Sequence, residues 1–160
     1  MRNLIGAGVI SLALVMASGC ATSGAGYGDV SGTNGPVTFS WKSKDGMGIS
    51  GSISALLPNG NTFSGTYFQI TSQTAQQMLV PLWSGWNEGW TDWPYWGPYP
   101  VTQFVTVYSG KVVANLQNPN GKQMRCRFHL ANPMSGMSGG GQGECQTSGG
   151  KTISAMFPPS

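Results

Sequence analysis

The chain has 160 residues and a formal net charge of +3, and only 8% of its residues are charged. This length suits a single domain, and basic residues come at most in close pairs such as Lys42/Lys44 and Arg125/Arg127. Because nucleic-acid binding requires a concentrated basic face, the composition excludes a nucleic-acid partner.

The first twenty residues contain the parts of a secretory signal peptide in their usual order. Met1–Arg2 supplies a positive charge, Leu4–Met16 is apolar, and three small residues precede Cys20. The alternative is a transmembrane anchor, but an uncharged run of about 17 residues is at the lower limit for spanning. Ala17-Ser18-Gly19-Cys20 resembles the lipobox of bacterial lipoproteins, which implies cleavage before Cys20 and lipid on that cysteine. Ala21 in place of Asp implies, in that class, sorting to the outer membrane, on its periplasmic face or at the cell surface.

Residues 1–19 are therefore predicted to be a signal peptide, and residues 20–35 a lipidated cysteine with a flexible tether. Residues 21–35 consist mostly of Gly, Ser, Thr and Asn, with almost nothing to bury. A random coil of this length has a root-mean-square reach of roughly 20 Å. The domain is therefore expected to lie near the membrane that holds the lipid.

Residues 36–160 are predicted to form one all-β domain, a small antiparallel barrel or sandwich of about seven or eight strands. Apolar and polar residues alternate, and Gly, Asn and Pro interrupt the runs at regular intervals. Three octets, which begin at Gly60, Gly121 and Gly150, share one form. Each starts with a turn glycine and then places a large apolar, a small and an aromatic residue at alternate positions, which predicts strands with one inward face.

Similar strands precede the first two octets, at Ser50–Leu57 and Ser109–Leu116, so the predicted repeat unit is a β-hairpin. Both turns contain Asn-Gly, the strongest short-range hairpin signal. In this alignment the second turn, Gln117–Gly121, is two residues longer than the first, Pro58–Gly60.

Cys126 and Cys145 are expected to point into the domain from neighbouring strands. Cys126 occupies the small inward position that Gly65 and Ala155 hold in the other two octets, and Cys145 lies in the run before the third octet. An even pair of cysteines in an exported protein is most simply a disulfide. A metal or nucleophilic cysteine would need His or acidic partners, and the chain has one histidine. We therefore predict a disulfide and expect no metal or cofactor.

Residues suited to catalysis are few. His129 follows the inward Phe128 and is predicted to point outward. Glu88 and Asp92, flanked by tryptophans, are the one place for a glycosidase-like carboxylate pair, so the alternative function is a carbohydrate- or peptidoglycan-acting enzyme. The Gly-rich stretch 133–143 lacks phosphate-loop spacing and is predicted to be a mobile loop or a bulged edge. We expect a non-enzymatic protein.

A loop at residues 81–100 holds five of the six tryptophans. Its candidate ligand-binding residues are Trp83, Trp86, Trp90, Trp93, Trp96 and Tyr99. Three interpretations stay open: a lid that adds to the core of the domain, a platform for a glycan or an envelope protein, and contact with lipid headgroups, which Trp and Tyr favour.

The C-terminal third carries a cysteine pair and a Gly-rich loop in a fixed order. This part of the chain is similar to a segment of uncharacterised exported proteins and lipoproteins of proteobacteria, and the residues that carry the resemblance are Met124–Phe128, Gly136-Met137, Gly139–Gln146 and Ile153–Phe157. This resemblance implies export and a disulfide, and it brings no activity. The sequence as a whole predicts a membrane-anchored envelope lipoprotein that is structural or binds a ligand through loop 81–100.

Overall fold

The computed structural model describes residues 21–32, 35–71 and 108–160. The strands in these ranges are β1 (Ser23–Asp29), β2 (Pro36–Ser43), β3 (Ser50–Leu56), β4 (Thr62–Thr71), β5 (Tyr108–Gln117), β6 (Gln123–Leu130), β7 (Gly141–Thr147) and β8 (Thr152–Phe157). Each strand pairs antiparallel with the next, and β1 pairs with β8 to close a barrel. The predicted all-β antiparallel domain is confirmed, and of the two architectures left open the barrel is the correct one.

One face of each strand is buried in the barrel interior, as the alternating sequence pattern requires. On β2, Val37, Phe39 and Trp41 are 0%, 0% and 3% exposed, while the residues between them are exposed. Aromatic rings meet across the interior, where the ring centroid of Phe157 lies 5.6 Å from that of Phe39 and 4.9 Å from that of Phe128. The interior is therefore filled with side chains, as is usual for a small barrel of eight strands.

The three predicted turn glycines have the same backbone conformation. Gly60, Gly121 and Gly150 have φ angles of 80°, 78° and 79°, in the left-handed region that glycine adopts without steric cost. In each turn the glycine N–H donates to the carbonyl three residues earlier, at 2.9, 3.0 and 2.9 Å. Such three-residue loops with a left-handed glycine are a common hairpin connection, so the predicted repeat of hairpins is confirmed.

One detail of the predicted repeat is wrong. The second turn is no longer than the first, because Asn118 takes the place that Leu57 holds in the first turn. As a result Leu116, which was predicted to match Leu57, matches Ala55 in its pairing. Since side chains alternate with a period of two, a shift of two residues leaves every side chain on its own face. The predicted inward residues are therefore correct despite the shift.

The flexible tether predicted for residues 21–35 is wrong, because Ser23–Asp29 forms strand β1. The glycines of this strand alternate inward, where neighbouring rings or backbone occupy the space that a side chain would need. A Cβ on Gly24, for example, would lie 2.7 Å from Nε1 of Trp41. The strand pairs with its neighbours through its backbone, and its glycines leave room for the groups packed beside them. The barrel begins within the segment that was predicted to be a tether.

A short 3₁₀ segment, Pro133–Gly139, packs against one end of the barrel. Met137 in this segment belongs to the hydrophobic core and is 0% exposed, and its N–H donates to the carbonyl of Gly48 at 3.1 Å. The stretch 133–143, predicted to be a mobile loop or a bulged edge, is instead a turn with a buried methionine, followed by the start of β7.

Candidate functional site

The predicted disulfide between Cys126 and Cys145 is present. The two residues are direct partners in β6 and β7, with Cα atoms 4.0 Å apart and exposed fractions of 2% and 0%. Because both side chains lie in the core, the pair is a crosslink between two neighbouring strands, and neither sulfur is exposed for chemistry.

A groove of about 460 Å³ lies on the outer surface of β6, β7, β8 and β1. This volume is in the range of small-ligand sites. The outward side chains that line it are Tyr27, Asp29, Arg127, His129, Gln142, Glu144, Ser154 and Met156. They come from both ends of the described chain, and the pairing of β1 with β8 is what brings them together.

Two inward glycines lie in the barrel wall behind this groove. Gly28 and Gly143 occupy inward positions of β1 and β7. A Cβ on Gly28 would lie 1.7 Å from the carbonyl oxygen of Ser154, and one on Gly143 would lie 2.0 Å from that of Arg127. A glycine inside a strand often marks a place where another backbone approaches closely. The absence of a Cβ at these two positions lets the backbone of β1 approach β8, and that of β7 approach β6, closely behind the groove.

Arg127 and Glu144 form an ion pair across β6 and β7 in this groove. Nη2 and Nε of Arg127 lie 2.6 and 3.0 Å from Oε1 of Glu144. The side chains are 16% and 37% exposed, so water screens the pair and it contributes at most about 1 kcal/mol to stability. Its main consequence is geometric, because it fixes the positions of a guanidinium and a carboxylate that a ligand can reach.

Arg125 places a second cation on the same strand. Although its position points out of the barrel, Arg125 is only 2% exposed, and its Nη2 donates to Oε1 of Gln146 at 2.7 Å. Burial, followed by the charge of Arg127, lowers the pKa of Arg125 to about 10. The guanidinium therefore stays charged at neutral pH, and β6 carries two fixed cations.

Tyr27 supplies the exposed aromatic surface of the groove. Its side chain is 54% exposed, and its hydroxyl donates to Sδ of Met156 at 3.1 Å. Two residues further along β1, the N–H of Asp29 donates a hydrogen bond to the hydroxyl of Ser154 in β8 at 3.1 Å. The groove thus combines an aromatic face with carboxylate, amide, guanidinium and hydroxyl groups.

Of the residues singled out from the sequence, the structure places the cysteine pair and His129. His129 is exposed on the outside of the barrel, as predicted, and lines the groove. Cys20, Glu88 and Asp92 lie outside the described residues. So do the aromatic candidates Trp83, Trp86, Trp90, Trp93, Trp96 and Tyr99.

The groove itself was not predicted. The one signal for Arg127 and Glu144 is that each stands at an outward position of an alternating strand. Tyr27 and Asp29 come near these two residues only because β1 pairs with β8 and closes the barrel. The sequence pattern assigns both residues to a tether outside the domain.

Within residues 21–32, 35–71 and 108–160, no three His, Cys, Asp or Glu side chains lie close enough together to hold a metal ion. None of the helical structure in these ranges has the length and apolar character that crossing a bilayer requires. Comparison with models of known protein families, with curated proteins and with solved structures finds no match.

Proposed function

We propose that this protein is an exported, lipid-anchored protein of the bacterial cell envelope, with a non-catalytic barrel that binds a ligand or has a structural role. The observation that carries the proposal is the buried Cys126–Cys145 disulfide. Structural disulfides persist in oxidising compartments such as the periplasm and are rare in the cytosol, which supports export. The signal-like residues 1–19 supply the route, and the lipobox-like Ala17–Cys20 supplies the anchor at the outer membrane.

Replacement of the anchor cysteine tests this proposal. In cells given radiolabelled palmitate, the wild-type protein is expected to carry the label and to fractionate with membranes. The Cys20→Ser variant should carry no label and should keep its signal peptide, because the acylated side chain is missing. Cys126→Ser is the matched control and should still be labelled, since its cysteine lies far from the processing site. Label retained in Cys20→Ser, or wild-type protein found unlabelled in the soluble fraction, would contradict the proposal.

Within this proposal the groove is the ligand site, and its chemistry favours a saccharide. The exposed ring of Tyr27 offers an apolar face, and an aromatic side chain with a polar tip suits surfaces that are partly apolar and partly wet. Arg127, Gln142 and Glu144 supply donors and acceptors, and a few placed polar groups fix the orientation of a ligand in a pocket. A glycan of the envelope has both matching features, namely ring faces and closely spaced hydroxyls.

The Tyr27→Ala variant tests the groove as the glycan site. With soluble peptidoglycan fragments as the probe, the full-length variant should bind at least about tenfold more weakly, equivalent to about 1.4 kcal/mol, because the stacking face is lost. Leu56→Ala is the control, since Leu56 is 49% exposed and does not line the groove. Equal affinities of Tyr27→Ala and wild type would exclude the groove as the site.

Loop 81–100 is the second proposed contact. Thr71 pairs with Tyr108, so the connection that contains this loop leaves and re-enters the barrel at the end where β1 begins. Its support is its composition, because Trp and Tyr rings suit sugar faces and the headgroup zone of a bilayer.

A further inference from the structure

The structure leaves almost no tether between Cys20 and the barrel. Strand β1 begins at Ser23, and the N–H of Ser43 donates to the carbonyl of Thr22 at 2.8 Å. This hydrogen bond fixes Thr22 at the end of the barrel. Only Ala21 separates Thr22 from Cys20, and two residues of extended chain span at most about 7 Å. A lipid on Cys20 would therefore hold this end of the barrel directly against the bilayer.

The same end of the barrel carries apolar and basic side chains. The β2–β3 loop, residues 44–49, meets the 3₁₀ segment Pro133–Gly139 there through the hydrogen bond to Gly48 described above. Met47 in the loop and Met134 in the 3₁₀ segment are 47% and 64% exposed, and Lys44 is exposed as well. We refer to Lys44, Met47 and Met134 as the plug-end surface.

Asp45 holds the loop beneath this surface in a defined shape. Its carboxylate accepts hydrogen bonds from the N–H groups of Met47, Ile49 and Ser50 at 3.0, 2.9 and 2.8 Å. Burial alone would raise the pKa of Asp45, but these hydrogen bonds and that of the Ser50 hydroxyl outweigh it, so the pKa lies below its usual value. The negative charge of Asp45 is therefore bound by hydrogen bonds to the backbone of the loop and of Ser50. Lys44 is the exposed charged side chain of this loop that can meet a partner.

We propose that the plug-end surface rests on the lipid leaflet that holds Cys20, with Met47 and Met134 at the boundary between headgroups and acyl chains. This inference depends on the proposed lipidation of Cys20. Methionine side chains are flexible and adapt to irregular apolar surroundings, and Lys44 faces anionic headgroups. Apolar burial together with electrostatic attraction is what holds proteins at a membrane interface. The groove lies on the side wall of the barrel, so this seating leaves it open to a ligand.

Spin labels on the full-length lipidated protein test this surface. A nitroxide is placed at Met47→Cys, at Met134→Cys and, as a control, at Leu56→Cys, which is next to a turn at the opposite end. The proteins are reconstituted into vesicles of phosphatidylethanolamine and phosphatidylglycerol. We expect the ratio of oxygen to nickel-chelate accessibility at positions 47 and 134 to exceed that at position 56 at least about fivefold, because oxygen concentrates in the acyl region that an interfacial side chain reaches.

The outcomes separate this inference from the proposed function on which it depends. Protein that co-sediments with the vesicles but shows the same ratio at all three positions overturns the plug-end surface and leaves the anchor intact. Wild-type protein that fails to co-sediment overturns the anchor and this surface with it. A high ratio at Met134 alone overturns the part of the proposal that involves the β2–β3 loop.

Discussion

Replacing Cys126 and Cys145 together by alanine is expected to lower the free energy of unfolding by about 3 kcal/mol. The crosslinked residues are 19 positions apart in sequence, so the bond closes a loop that restricts the unfolded chain. The replaced sulfur atoms are buried, and the space they leave adds to the loss. Urea unfolding of the detergent-solubilised protein measures the change as a lower transition midpoint.

Reduced wild-type protein is the control for this variant. With its disulfide opened, it should unfold close to the midpoint of the double variant, since both lack the same restraint. A double variant that unfolds at the same urea concentration as the oxidised wild type would show that the bond adds nothing to stability.

Replacing Gly65 by alanine is expected to cost about 3 kcal/mol, the upper part of the usual range for overpacking. The repeat alone would predict a harmless change, because Ala155 holds the equivalent place in the third octet. The structure predicts the opposite, since a Cβ on Gly65 would lie 1.9 Å from the carbonyl oxygen of Asn115. The clash is with the backbone of the neighbouring strand β5, and relieving it requires the backbones of β4 and β5 to move apart at this position.

Gly46→Ala is the matched control for this substitution. A Cβ on Gly46 would meet nothing within 4 Å, so its effect should stay within about 0.5 kcal/mol of wild type. Comparison of the two melting curves separates the local clash from a general effect of adding a methyl group. Equal stabilities of Gly65→Ala and Gly46→Ala would mean that the backbones of β4 and β5 do not approach at Gly65 as closely as the structure shows.

The inward residues of the hairpins could be predicted because a strand has a side-chain period of two. That period identified the inward set of Met124, Cys126 and Phe128, and it tolerated an alignment error of two residues in β5. It also placed Cys126 and Cys145 on one face of neighbouring strands, which is why the disulfide could be predicted. A local pattern sufficed because each of these contacts joins strands that are adjacent along the chain.

Strand β1 and the groove could not be predicted from the sequence, because they depend on contacts between strands that are far apart along the chain. The inward positions of β1 are Gly24, Gly26 and Gly28, which give no hydropathy signal and resemble a linker. The reason for glycine at these positions appears only in the folded barrel, where rings lie beside Gly24 and Gly26 and the backbone of β8 lies beside Gly28. The groove, in turn, depends on β1 meeting β8 at Tyr27 and Met156, a pairing between the two ends of the domain that no local pattern specifies.

Intact-mass spectrometry of the protein extracted from membranes tests most directly whether a disulfide-crosslinked barrel is exported and held by Cys20. We expect a chain that begins at Cys20, carries acyl groups, and lacks the thiol hydrogens of Cys126 and Cys145. A chain that retains Met1, carries no lipid and has all three of its cysteines as free thiols would contradict this description.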